Sequence, residues 1–268
     1  MIVFSSDPRC LKVSVKMRRV TGDAGGVALA GCGVEVSWAD PSGRLCSSEL
    51  EASAGIAFED AVPVREFLSY PGQRHFPGLW WLATTGRHIG FESWLERDHA
   101  MLLDFDREVC GLASQPFTLT WQVPAGRKVS HTPDYFARMA DGSGVVVDVR
   151  PADRVKPADA ARFEATAVAC ERTGCWSFRL VHEPDPVLAA NVRWLSGYRH
   201  PRHADQVLGP LLRQAFTEGA GLLDGVSQAA DPIRGLPVLF HLLWRGDLAA
   251  DLRIPLGDGT WVTCGEPG

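Results

Sequence analysis

Hydrophobic positions along this chain come in short runs whose period keeps changing, and each change predicts an element. LKVSVKM (11–17), GVALA (26–30) and GVEVSW (33–38) are short β-type runs that alternate with Gly-rich turns such as TGDAGG and ADPSG. Such runs bounded by turns predict short strands, so residues 1–65 are expected to form a strand-rich lead-in. PVREFLSYPGQRHFPGLWW (63–81) mixes Pro, Gly and aromatics with no period and predicts an ordered irregular segment. From Ser93 to Asp106 the apolar residues Trp94, Leu95, Met101, Leu102 and Phe105 take helical spacing. Ser93, with Glu96 three residues on, reads as a capping box.

Strand-type runs follow at EVCGLASQP (108–116), FTLTWQV (117–123) and PDYFARM (133–139). After the turn DGSG comes VVVDVRP (145–151), then a helix at 158–173 and a strand at 176–182. This order of helix, successive strands, helix and strand predicts an α/β sheet flanked by helices. Residues 191–204 read as a helix end and linker. Helices at 205–216, 222–230 and 233–244, then a hairpin turning at Gly257-Asp258-Gly259, predict a winged-helix-like unit over 199–268. The middle unit is 66–198.

Within VVVDVRP the β-branched Val145, Val146, Val147 and Val149 favour a buried strand. A side-chain period of two puts Asp148 and Arg150 on one face, opposite Val147 and Val149. An antiparallel pair closed by DGSG would bring Asp134 near Asp148. Glu96, Asp134 and Asp148 are then three candidate oxygen ligands for one or two Mg²⁺ ions, with Mn²⁺ a substitute. Metal-activated water and a polarised phosphate are what such a cluster supplies, and Arg150 would offset charge on the phosphate. A surface ion pair at a strand end accounts for Asp148 and Arg150 equally simply, and Glu96 has its capping role.

Composition narrows the setting. The 268 residues are 46% hydrophobic and 22% charged, and the net charge is −5, which argues against non-specific coating of nucleic acid. Seven cysteines, an odd number with no paired CxxC, predict reduced thiols rather than a zinc site or disulfide framework. No run approaches the roughly 20 apolar residues of a membrane span, and the first residues lack a signal-peptide pattern. A cytoplasmic protein without membrane contact is expected.

The stretches ESWLERDHAMLLDFDREVCGLASQPFTLTW (92–121), HTPDYF (131–136) and VVVDVRPADR (145–154), with GQRHFPGLWW (72–81) and TTGRHIGFESWLERD (84–98) upstream, resemble TnsA. TnsA is the endonuclease subunit of heteromeric transposases, and the likeness is to its actinobacterial branch. The resemblance covers roughly residues 58–200. It implies a restriction-endonuclease-like PD-(D/E)xK fold and Mg²⁺-dependent cleavage of double-stranded DNA at transposon 5′ ends. It also implies a DDE-type transposase partner and a regulatory AAA-type ATPase docked on the C-terminal unit. By this resemblance Glu96, Asp134 and Asp148 are the metal ligands and Arg150 fills the basic position. Two positions depart from the family pattern: Asp148 stands where Glu or Gln is common, and Arg150 where Lys is common. Arginine does not give up its proton, so Arg150 would bind phosphate or position water. A catalytically silent scaffold and a standalone restriction or defence nuclease stand as alternatives.

Further candidates surround this core. Gln115 precedes a strand as a supporting residue, and His131 lies near Asp134 where it could reach a phosphate. Arg74, with His75, Arg87 and His88, flanks the aromatic segment, where it could contact the DNA backbone or pin the loop. Arg127 and Lys128 are placed in a turn before the strand at 133–139, as phosphate contacts. Residues 201–268 carry five basic and eight acidic side chains, and IRGLPVLFHLLW (233–244) offers only Arg234 and His241 among apolar residues. A base-reading helix needs more, so this unit is expected to bind protein.

Overall fold

The computed structural model describes residues 33–65, 76–123 and 126–265. The runs expected at 11–17 and 26–30, most of the segment at 63–81, and Arg74 lie outside these residues. Val34–Ala39 (β1) and Leu45–Glu49 (β2) form a hairpin. The Asp40 side chain accepts from Ser42 N and Arg44 N across its turn, the local bonding that makes Asp a turn-former. Gly78–Trp81 (β3) and His88–Phe91 (β4) pair antiparallel, so the irregular segment expected to run through 81 ends in a strand. A buried carboxylate fixes that strand: Asp104 accepts from Trp80 Nε1, Ala83 N and Thr84 N.

Trp94–Phe105 (α1) follows, capped by Ser93. Five strands come before the next α-helix, one more than the four runs expected: Val109–Ser114 (β5), Thr118–Gln122 (β6), Lys128–His131 (β7), Tyr135–Met139 (β8) and Gly144–Val149 (β9). Pro157–Arg172 (α2), Trp176–Val181 (β10) and Pro186–Ser196 (α3) complete the region. β6 and β7 leave the main sheet and join β1 and β2 in the order β2-β1-β6-β7. The main sheet is β10-β9-β8-β5, antiparallel except for the parallel β9–β10 pair. Lys128 therefore opens a strand rather than sitting in a turn. β7 escapes sequence reading because only Val129 of its four residues is apolar, as suits an edge strand with an exposed face.

The valine run sorts its faces as a period of two requires. Val145, Val147 and Val149 pack with Ala100 of α1 and with Leu112, Tyr135 and Ala137. Val146 faces the other way, into an aromatic core where Phe58, Phe117, Phe136 and Trp176 lie 4.8 to 6.0 Å apart. Gly144 permits this: a Cβ there would stand 2.6 Å from the Trp176 ring and 2.8 Å from that of Phe136.

The C-terminal region holds Leu208–Ala215 (α4), Ala220–Gly221 (β11), Leu222–Ala229 (α5), Pro232–Arg245 (α6), Leu248–Ala250 (β12) and Trp261–Cys264 (β13). The three expected helices are present. The β-ribbon differs: β12 precedes the expected LRIP strand, and β13 lies between β11 and β12 in a three-stranded sheet. Pro255 has no N–H for a ladder, and Asp251 turns back on Arg253, so 251–260 is a loop. The core of this region takes in Met101 of α1 and Val192 and Leu195 of α3, and thus crosses the boundary expected between 198 and 199.

Together these elements make a mixed α/β protein with several largely antiparallel sheets and six α-helices among the described residues. No helix among them is long and apolar enough to cross a membrane.

Candidate active site

β8 and β9 pair with Tyr135 opposite Val147 and Phe136 opposite Val146. Continuing that register by one residue sets Asp134 opposite Asp148, the juxtaposition expected from the DGSG turn. The ion pairing differs from a simple Asp148–Arg150 contact. Arg150 donates from Nη1 to Asp134 Oδ2 at 3.0 Å and to Val149 O at 2.6 Å. Asp148 instead meets His131 of β7, with Nε2 to Oδ2 at 2.7 Å. Asp148 is 0% exposed and Asp134 5%, so neither is a solvated strand-end charge.

Their unused oxygens are the chemically informative atoms. Asp134 also accepts from Val149 N at 2.7 Å, again on Oδ2, so Oδ1 receives no bond from the described residues. Asp148 Oδ1 is buried with no hydrogen-bond partner among the described residues. An unpaired buried acceptor costs on the order of 1–3 kcal/mol, and more for a charged group. Burial, then the neighbouring Asp148 carboxylate, pushes the Asp134 carboxyl up to about 8, against the opposing pull of Arg150. A cation brought near the raised Asp134 carboxyl would favour its ionised form.

Glu96 fills the capping role and borders the cluster. Its N–H donates to Ser93 Oγ at 3.2 Å, Ser93 Oγ donates to Oε1 at 2.9 Å, and Glu92 N donates to Oε2 at 2.7 Å. Burial raises its pKa, and Arg150 is close enough to oppose that rise. Arg150 is pulled both ways: burial lowers its pKa, and Asp134, Asp148 and Glu96 outweigh this and raise it. The three carboxylates therefore share one electrostatic field, but they do not close on one point. Among the described residues no group of three or more His, Cys, Asp or Glu side chains is disposed to hold a metal ion. Asp134 and Asp148 each keep one oxygen without a hydrogen bond from the described residues, and carboxylate oxygen is the donor type that a hard divalent cation takes. Each Glu96 oxygen already accepts one hydrogen bond, which leaves lone pairs free and ties the carboxylate to the start of α1. A two-carboxylate set suits Mg²⁺, which keeps several waters and takes further oxygens from a phosphate.

The other expected residues separate by position. Gln115 is buried at φ 46, left-handed backbone uncommon outside glycine. Its N–H donates to Asp134 O and its Oε1 accepts from Arg65 Nε at 2.9 Å, so it supports the Asp134 backbone. His131 is buried against Asp148 and is not presented to solvent for a phosphate. Arg127 in the β6–β7 turn and Lys128 at the start of β7 are exposed and make no ion pair with the described residues. Arg87 pairs with Asp60 at 2.6 Å and donates to Glu59 O, and so pins its loop.

Sequence reading passed over four supporting groups. Arg65 bridges Gln115 and Glu92. Tyr135 donates its hydroxyl to Glu96 O. His182 Nδ1 bonds Arg150 O at 2.7 Å, and His99 Nε2 bonds His182 O at 2.6 Å. None has a local signature; only the position of Tyr135, beside Asp134, could have drawn attention. No protein-family model matches the chain, and no curated protein matches it.

Proposed function

We propose that this chain is a Mg²⁺-dependent DNA endonuclease subunit of the TnsA-like kind, with a PD-(D/E)xK core and a C-terminal winged-helix-like unit. It hydrolyses phosphodiester bonds at transposon 5′ ends. The observation that carries this reading is the buried Asp134–Asp148 pair, with an unpartnered oxygen on Asp148 and Arg150 bonded at its edge. The main sheet with α1 before it and α2 before its parallel strand supports the fold, and the order α4-β11-α5-α6-β12-β13 supports the winged helix.

Asp134 and Asp148 hold the cation, with Glu96 at the margin. When bound, that cation supplies Lewis acidity toward the scissile phosphate and activates water. Arg150, with 36% of its side chain exposed, is the cationic group an incoming phosphate meets. Its guanidinium exchanges the Asp134 contact for the phosphate and neutralises charge there. It does not serve as a base, because a guanidinium keeps its proton. Arg127 and Lys128 add backbone contacts at the hairpin tip.

Sequence-specific DNA binding falls to a DDE-type transposase partner, in keeping with the acidic chain. The C-terminal unit serves protein docking, by an AAA-type ATPase on the family pattern. α6 suits this, with Ile233 85% exposed and Arg245 tied to Asp247 at 3.0 Å.

The test is cleavage of transposon-end DNA by the chain together with its transposase. Asp134→Ala is expected to abolish cutting while leaving partner binding intact; undiminished cutting would remove Asp134 from the site. The Arg150–Asp134 ion pair and the absence of a three-ligand group among the described residues favour a second reading, a silent scaffold in the same complex. Wild-type protein that assembles with transposase and DNA but never nicks in Mg²⁺ or Mn²⁺ would select it.

A further inference from the structure

The buried His131–Asp148 contact crosses between the two four-stranded sheets. His131 ends β7 in one, and Asp148 lies in β9 of the other. Nothing in the sequence joins them, since they stand 17 residues apart and pair with different strands. His131 is fixed on its own account: Phe163 of α2 packs edge-on against its ring at 5.8 Å, and its residue pairs with Leu119 of β6. The bond falls on Oδ2, and Oδ1 of the same carboxylate is the buried oxygen with no partner. A carboxylate held by one oxygen from a rigid imidazole cannot swing, so its other oxygen is presented in one direction.

We propose that His131 is a positioning residue. It donates from Nε2–H to Asp148 Oδ2 and so aims Oδ1 at the divalent cation. This rests on the metal reading above and adds to it the residue that orients the ligand. A second group bonded to a liganding carboxylate fixes its geometry, and its loss typically lowers metal affinity 10- to 100-fold. It also changes what His131 does: it does not contact DNA but serves one carboxylate.

The test uses the full chain with ¹⁵N-labelled histidine, read by long-range proton–nitrogen correlation and titrated with Mg²⁺. Expected for wild type is a single His131 tautomer with the proton on Nε2, whose Nε2 signal moves as Mg²⁺ is added. His131→Gln, which keeps a donor in reach, should bind Mg²⁺ within a few-fold of wild type. His131→Phe should bind 10- to 100-fold more weakly. If His131→Phe does not fold, as circular dichroism would show, His131→Asn, whose amide is too short to reach, takes its place with the same expectation. A proton on Nδ1, averaging between tautomers, or a folded His131→Phe or His131→Asn with wild-type affinity would overturn the positioning role and leave the metal reading standing. A fixed Nε2–H tautomer whose signal ignores Mg²⁺ would overturn the metal reading, and the aiming role with it.

Discussion

At the scale of single residues, the site is defined by how Asp134 and Asp148 divide their partners. Sequence made their proximity legible, because Pro133-Asp134, the DGSG turn and a valine run fix the strands and their register. It did not make the partners legible. Arg150 lies two residues from Asp148 but bonds Asp134, since past the last residue of β9 the side chain is free to turn along the sheet edge. The partner of Asp148 comes from a strand with one apolar residue in four. Titration of Asp134 has two consequences of opposite sign. Its folded value, about 8 against 3.8 for the free group, means the folded state holds a proton that the unfolded state has released between those values. That contribution to stability is fully present below about 4 and lost as pH rises through about 8. Metal binding competes for the same carboxylate, so Mg²⁺ affinity should climb from pH 6 to about 8 and level off above it. A Mg²⁺ affinity flat across pH 6–9 would contradict the titration of Asp134 in the site.

At the scale of elements, α1 is the clearest case of a feature legible in sequence and carrying two roles. The Ser93–Glu96 pairing caps the helix as expected, though Glu96 reaches the N–H of Glu92 rather than that of Ser93. The cap therefore also sets where the Glu96 carboxylate sits. Ser93→Ala should lower stability by about 1 kcal/mol, the usual cost of losing an N-cap, measured as a shift in denaturant midpoint. It should also change Glu96, since one of its two bonded oxygens loses its donor; an unchanged midpoint would mean that the cap contributes nothing. The β6–β7 hairpin was legible only in part. FTLTWQV announces β6, while β7 is too polar and too short to stand out, and its departure from the main sheet is a tertiary choice that no local pattern encodes.

At the scale of the whole molecule, the expected boundary at 198/199 follows a real change of composition, from mixed strands to short helices. The core does not respect it. Leu195 and Val192 of α3 and Met101 of α1 are buried with Leu212, Phe216, Val226 and Leu239 of the C-terminal helices. Asn191 adds bonds to Leu252 O and Ile254 O, and Arg199 stacks 4.2 Å over Trp80 while bonding Trp81 O. Sequence periodicity identifies each helix face as apolar but not which neighbour covers it. A chain ending at residue 198 would leave that face of α1 and α3 open to water. Each large apolar side chain so exposed forfeits about 1.5–3 kcal/mol. The truncated protein should therefore melt without a cooperative transition and bind a hydrophobic dye. A truncation that melts as sharply as the full chain would show the two regions to be separate.

Calorimetric titration of Mn²⁺ into the full chain at pH 8 decides whether Asp134 and Asp148 form a divalent-cation site. Wild type, alone or with end-DNA present, should bind Mn²⁺ with release of protons, and Asp134→Ala should bind none. Absence of binding in wild type under both conditions, or binding that survives Asp134→Ala, would contradict such a site.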